Sequence, residues 1–178
     1  MYEQFTSRAE AVGAEVHRVH DKAAAVEFIC RLLQQEGLAD APGCRAVWAP
    51  SPCLDAATRE MLEKQAGLSL TVTRELAAES RFGISQLDWA LADTGSLVQD
   101  ATAVEQRLVS TLPDIHIALV PTSGILPDMP ALLSCLHPNQ SNYIAFITGP
   151  SRTADIERVL TIGVHGPGRL VIVCVDEM

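Results

Sequence analysis

The sequence predicts an α/β fold with a parallel-rich sheet and helices on both faces. Three observations carry this. The runs Arg45–Ala49 (RAVWA), Ile115–Val120 (IHIALV) and Leu170–Val175 (LVIVCV) are short and continuously apolar, the pattern of strands buried on both sides. Stretches with helical spacing alternate with them, as crossover connections between parallel strands require. Hydrophobic residues make up 48% of the 178 residues but aromatics only 4%, so the core is aliphatic.

Taken in order, residues 1–20 are mixed and polar and read as an arm or a short helix. Asp21 is placed to cap a helix over Lys22–Glu36, whose Val26, Ile29, Cys30 and Leu33 fall on one face before Gly37 stops it. After the strand at Arg45–Ala49, Asp55 caps Ala56–Ala66, closed by Gly67, and Leu68–Thr73 alternates as a strand. Glu75–Gln99 is less regular. Gly83 breaks it, Ser85–Leu91 reads as one or two helical turns, and Asp93-Thr94-Gly95 turns into a strand at Ser96–Gln99. Residues 100–114 form a connector with room for a short helix. Ile115–Val120 leads to a loop at Thr122–Pro127, and Asp128 with Pro130 opens a helix across Ala131–Leu136. Asn142–Thr148 and Leu170–Val175 complete the strands.

Composition excludes several functions. A net charge of −9, from 13 Lys and Arg against 22 Asp and Glu, argues against a nucleic-acid partner, which needs clustered cations. No run approaches the roughly 18 apolar residues of a membrane span. Met1–Glu10 lacks an apolar signal core, so the cytoplasm is the expected compartment. The five cysteines form no CxxC pair, which opposes a zinc ribbon or a self-contained iron–sulfur cluster. Cys30, Cys135 and Cys174 read as core residues, and Cys44 and Cys53 as the more accessible thiols. No two histidines have metal-ligand spacing, so no metal site is expected.

In an α/β sheet, ligands bind beyond the carboxyl ends of strands. Pro50–Pro52, Thr122–Gly124 and Gly149–Thr153 follow strand-like runs. The last lies in the richest stretch, Phe146–Arg169, where a Gly149-Pro150 turn leads through Ser151, Arg152 and Thr153 to a second turn, Gly163-Val-His-Gly-Pro-Gly168. If the turn opens a helix, backbone N–H groups and the helix dipole converge there, and the Arg152 fork suits a carboxylate or phosphate. An ordinary αβ connection, with Ser or Thr as cap, fits the same spacing.

Three blocks carry a resemblance to a known family: Leu91-Ala-Asp-Thr-Gly-Ser-Leu97, Leu112-Pro-Asp-Ile-His-Ile-Ala-Leu-Val120, and Gly149-Pro-Ser-Arg-Thr-Ala-Asp-Ile-Glu157 followed by Gly163-Val-His-Gly-Pro167. They resemble the A-[ED]-T-G-[ST]-L, L-P-x-x-H-[IV] and G-P-S-x-T-x-D-I-E…G-x-H-G-P patterns of the LUD domain family, over about half the chain. The resemblance implies one LUD-type domain spanning residues 1–178, with residues 1–20 as a possible arm. It also implies a fold similar to the NagB/RpiA/CoA-transferase group. It further implies a bacterial operon context in which partner subunits with iron–sulfur clusters oxidise L-lactate to pyruvate, this chain being the member without a cluster. Whether the chain is itself an enzyme stays open; an enzyme or regulatory module for a sugar-phosphate or CoA-type ligand is the alternative.

Within these blocks, Arg152 with the N–H groups of Ser151 and Thr153 is the leading contact for an anion. Pairing of Arg152 with Asp155 or Glu157 is its structural counterpart. His165, presented between glycines with Gly166 beside it, is the candidate acid or base. Gly149, Thr94, Gly95 and Asp155 are expected to line the same crevice, with Asp93 near a donor. His116 reads as a satisfied core or interface residue, and His17, His20 and His137 as surface. Ser123 and Ser151 lack the nucleophile-elbow pattern, which opposes a serine hydrolase, and the glutamate motifs of CoA transferases are absent.

Overall fold

The computed structural model describes residues 1–136, 139, 141–154 and 160–178. In chain order the elements are α1 (Tyr2–Ala11), β1 (Glu15–Asp21), α2 (Lys22–Gln35), β2 (Arg45–Trp48), α3 (Ala56–Glu63), β3 (Leu68–Ser69), α4 (Arg74–Glu79), β4 (Ser80–Gln86), β5 (Trp89–Leu91), β6 (Ser96–Asp100), α5 (Val104–Thr111), β7 (Ile115–Pro121), a 3-10 turn at Thr122–Gly124, β8 (Ile125–Leu126), α6 (Met129–Cys135), β9 (Ile144–Ile147), β10 (Arg152–Ala154), β11 (Leu160–Ile162) and β12 (Arg169–Glu177).

Six strands form one wholly parallel sheet in the order β1-β12-β7-β4-β2-β3. Its two faces are read directly from β12. Val171, Val173 and Val175 join one core with Val26, Ile29 and Leu33 of α2 and Leu62 of α3. Leu170, Ile172 and Cys174 join another with Phe5 and Ala9 of α1. The alternation of period two sends successive residues to opposite sides, so both faces are apolar and both carry helices. A second sheet, β8-β5-β6-β9, lies on the α1 side, where Ala90 and Leu97 share the core of Phe5. β10 and β11 form a separate antiparallel ribbon.

The carboxylates of Asp21, Asp55 and Asp128 accept from the N–H groups of Ala24, Thr58 and Ala131 at 2.8, 2.7 and 2.9 Å, capping α2, α3 and α6 as expected. Other expectations fail. Of the two readings of residues 1–20, the short helix is present as α1, which buries Phe5 and Ala9, while β1 is an edge strand whose polar, half-exposed pattern hid it from an apolar-run reading. Ser85–Leu91 is not helical; it spans the end of β4 and all of β5. Gly83 is inside β4, where a Cβ would strike the Val109 carbonyl of α5, so the glycine marks a close helix approach and not a break. Finally, the turn at Gly149–Ser151 runs into strand β10 and not into a helix. Of the run at Leu68–Thr73, only Leu68–Ser69 is strand.

The thiols also redistribute. Cys53 is buried and Cys135 exposed, the reverse of expectation, because Cys53 folds under Gln86 while Cys135 ends α6 on its outer side. Burial pushes the Cys174 thiol up to about 12. Among the described residues no helix is long and apolar enough to cross a membrane, and no group of three His, Cys, Asp or Glu side chains is placed for a metal ion.

Candidate functional site

The two glycine-rich turns meet. The Ser151 N–H donates to the Pro167 carbonyl at 2.8 Å, and the Ser151 carbonyl accepts from the Gly163 N–H at 3.0 Å. Ser151 is therefore held on both backbone groups by the second turn. From this fixed point the described chain continues as the extended strand β10.

Gly149 sits at φ +70°, and a Cβ on it would strike the carbonyl of Val12 in the loop after α1. The Arg152 guanidinium donates to the same Val12 carbonyl. Val12 is the C-cap of α1, so Arg152 places a cation at the negative end of that helix dipole. Arg152 thus has a structural partner that its sequence neighbours do not suggest, namely the end of the N-terminal helix.

Between the turns lies an open cleft of about 420 Å³. Gly149, Pro150, Ser151 and Arg152 form one wall, His165, Gly166 and Pro167 the opposite one, and Phe146 and Thr148 with Ser110 and Thr111 complete it. Arg152 and His165 are both exposed. No carboxylate lines the cleft among the described residues, although the chain carries a net charge of −9. His165 also borders a neighbouring depression containing Asp114. Phe146, Ile162 and Val164 are about half exposed around this region.

The other expected site residues divide. Thr153 lies in β10, outside the cleft lining. Thr94 and Gly95 do not line it: Thr94 is exposed at the β5–β6 turn, and Gly95, at φ +69°, is packed where a Cβ would strike the backbone of Ala9 in α1. That glycine serves helix docking. The link between this turn and the cleft is one step removed, through the Ser96 hydroxyl paired with that of Thr148 at 2.7 Å. Asp155, Glu157 and His137 lie outside the described residues. Thr122–Gly124 packs its buried glycine against the Asp88 carbonyl.

His116 is the residue that sequence reading undervalued. It is 1% exposed, its Nε2 lies 2.8 Å from the Ser85 hydroxyl, and its Nδ1 finds no protein partner. Desolvation lowers its pKa to about 4, so the ring is neutral at pH 7. The available signal was its place in an otherwise aliphatic strand, opposite Gly83 in β4.

A second cleft, of about 390 Å³, opens at the carboxyl ends of β2 and β4, where the chain leaves in opposite directions across the sheet. Gln86 is fixed there by the Ser51 hydroxyl at 2.6 Å, and the Gln106 amide donates to the Pro50 carbonyl at 2.9 Å. Asp88 and Asp100 line it with no Lys or Arg. Burial raises the Asp88 pKa, whereas hydrogen bonds from Thr102 and Ser141 hold that of Asp100 low. The two clefts are opposite in charge.

Comparison with known proteins agrees with the sequence blocks. The LUD domain pattern matches residues 2–175. Lactate utilization protein C of Exiguobacterium sp. is 34% identical over 139 residues, covering 75% of this chain and 58% of that protein. Lactate utilization protein C of Bacillus subtilis is 36% identical over 107 residues, covering 57% of this chain and 45% of that protein. The chain thus spans about half the length of the curated relatives it matches. A crystal structure of a DUF162 family protein from Deinococcus radiodurans superposes with a TM-score of 0.61 over 98% of this chain and 96% of that one, at 19% identity, which supports the α/β fold. With its glycine-rich turns, its parallel sheet and a match along almost its whole length, the chain belongs to the LUD domain family.

Proposed function

We propose that this chain acts in lactate utilization as a component without an iron–sulfur cluster of its own. It binds a small carboxylate or phosphate in the cleft between Gly149–Arg152 and His165–Pro167, and works beside partner subunits that carry the clusters. The observation that carries the reading is electrostatic. In a chain of net charge −9, this cleft presents Arg152 and His165 and no described carboxylate. An anion there is attracted by the guanidinium fork of Arg152 and can accept a hydrogen bond from the exposed His165 ring. The half-exposed Phe146, Ile162 and Val164 beside it suit contact with a partner. The names of the relatives supply the process.

The test has two arms. A thermal-shift series on the purified chain with L-lactate, pyruvate, sugar phosphates and CoA esters is expected to show stabilisation by a small carboxylate. At about 100 times the dissociation constant this amounts to roughly 2.7 kcal/mol, and it is expected to be lost in Arg152→Ala. Deletion of the gene is expected to abolish growth on L-lactate as sole carbon source. Unchanged growth would refute the assignment. Turnover of a sugar phosphate or CoA ester by the chain alone would replace it with an independent enzyme.

A further inference from the structure

Behind the cleft is a small, partly enclosed chamber of about 20 Å³. Ser110, Ile147, Gly149, Pro150, Ser151 and Pro167 line both spaces, so the chamber lies directly beneath the cleft floor. What the chamber adds is His116 and Leu170. A space of this size holds about one water or hydroxyl, since one oxygen needs roughly 10–15 Å³.

Its chemistry is narrow. Leu170, Ile147 and the two prolines give it apolar walls, and a charge placed there without a counter-ion would be costly. The one titratable group is the imidazole of His116, 1% exposed. Ser85 occupies Nε2 at 2.8 Å, leaving Nδ1 as a buried polar atom without a protein partner. Native interiors seldom leave such a group unsatisfied. If Ser85 donates to Nε2, Nδ1 carries the ring proton and donates. If Nε2 donates to Ser85, Nδ1 accepts. A hydroxyl satisfies either arrangement because it both donates and accepts.

We infer that this chamber is the inner subsite of the cleft and that it receives a neutral hydroxyl group of a small anionic ligand, bonded to His116 Nδ1, while the anionic end stays outside near Arg152 and His165. This rests on the cleft being an anion site, and it narrows the ligand to a hydroxyl-bearing acid. Ser85 is then a positioning residue: it fixes the ring so that Nδ1 addresses the ligand. His116 makes the contact.

The experiment uses the unmodified chain with 15N-labelled histidine, titrated with L-lactate and separately with propionate, which has the carboxylate without the hydroxyl. Both acids are expected to shift the His165 resonances, and only L-lactate those of His116 Nδ1, with L-lactate binding about fivefold to tenfold tighter for the added hydrogen bond. If both acids move His165 and neither moves His116, the inner subsite is refuted while the anion cleft stands. Equal movement of His116 by both acids refutes the role of the hydroxyl. No movement of either histidine with either acid overturns the cleft and the subsite together.

Discussion

Gly149→Ala would set a methyl group against the Val12 carbonyl in a backbone conformation, φ +70°, that L residues avoid. The left-handed conformation alone costs an alanine about 1–2 kcal/mol. Forcing a methyl into a filled contact adds about 1–3 kcal/mol. A loss of about 2–5 kcal/mol is therefore expected. Gly37 provides the control, because it sits at φ +87° with nothing within 4 Å of its Cβ position. Gly37→Ala carries the conformational cost without the collision. Urea unfolding of both variants gives the two stability changes, and their difference isolates the contact between the turn and the loop after α1. The reasoning predicts Gly149→Ala to be worse by at least about 1 kcal/mol. Equal losses would show that the turn does not press on α1, and that the glycine is there for conformation alone.

Arg152→Ala removes the cation at the end of α1, and a loss of about 0.5–1 kcal/mol is expected in a thermal melt without ligand, more at low salt than at high. Arg169 donates to Glu15 at 2.9 Å and to Glu36 at 2.7 Å, which lowers the Glu15 pKa below its ordinary 4.5. A depressed carboxylate stabilises the fold above its unfolded pKa and loses that contribution as pH falls through the folded value, so Arg169→Ala is expected to flatten the stability profile below about pH 4.5. His116 is also depressed, from 6.5 to about 4, so the unfolded chain takes up its proton first as pH falls. Stability is expected to drop between pH 6.5 and 4 by an amount on the order of 3 kcal/mol, and His116→Phe should lack this slope; a wild-type profile flat across that window would refute the buried neutral ring.

Much of the fold was legible because its signals are local. An aspartate before a helical pattern caps that helix in three cases, and the run Leu170–Val175 could only be a strand buried on both faces. What escaped depends on distant partners. β1 reads as polar because it lies at the sheet edge, and its place is fixed by pairing with β12, more than 150 residues away. Ser85 and Gln86 read as the start of a helical turn, yet both lie in β4, Ser85 buried against His116 and Gln86 half-buried against Ser51. The cleft followed the same division. The sequence brought Gly149–Arg152 and His165–Gly166 to attention, but the chain leaves Ser151 as strand β10, where the opening of a helix was expected. Gly95 has the glycine a ligand turn would have and uses it to admit α1. The unsatisfied nitrogen of His116 exists only once β4, β7 and the Pro167 turn surround it.

The position of β12 has a consequence for synthesis. It lies between β1 and β7, pairing with both, and it follows every other described strand of this sheet in the chain. Until it emerges from the ribosome, β1 has no neighbour, and β7 presents a long apolar edge of the kind that invites pairing with other chains. The usual advantage of folding the N-terminal part first is therefore denied to this sheet. Most of its stabilising contacts form in one late step across a large sequence separation, which makes folding slow. The nascent chain is accordingly a natural client for chaperones, and loss of β12 would leave β1 separated from β7.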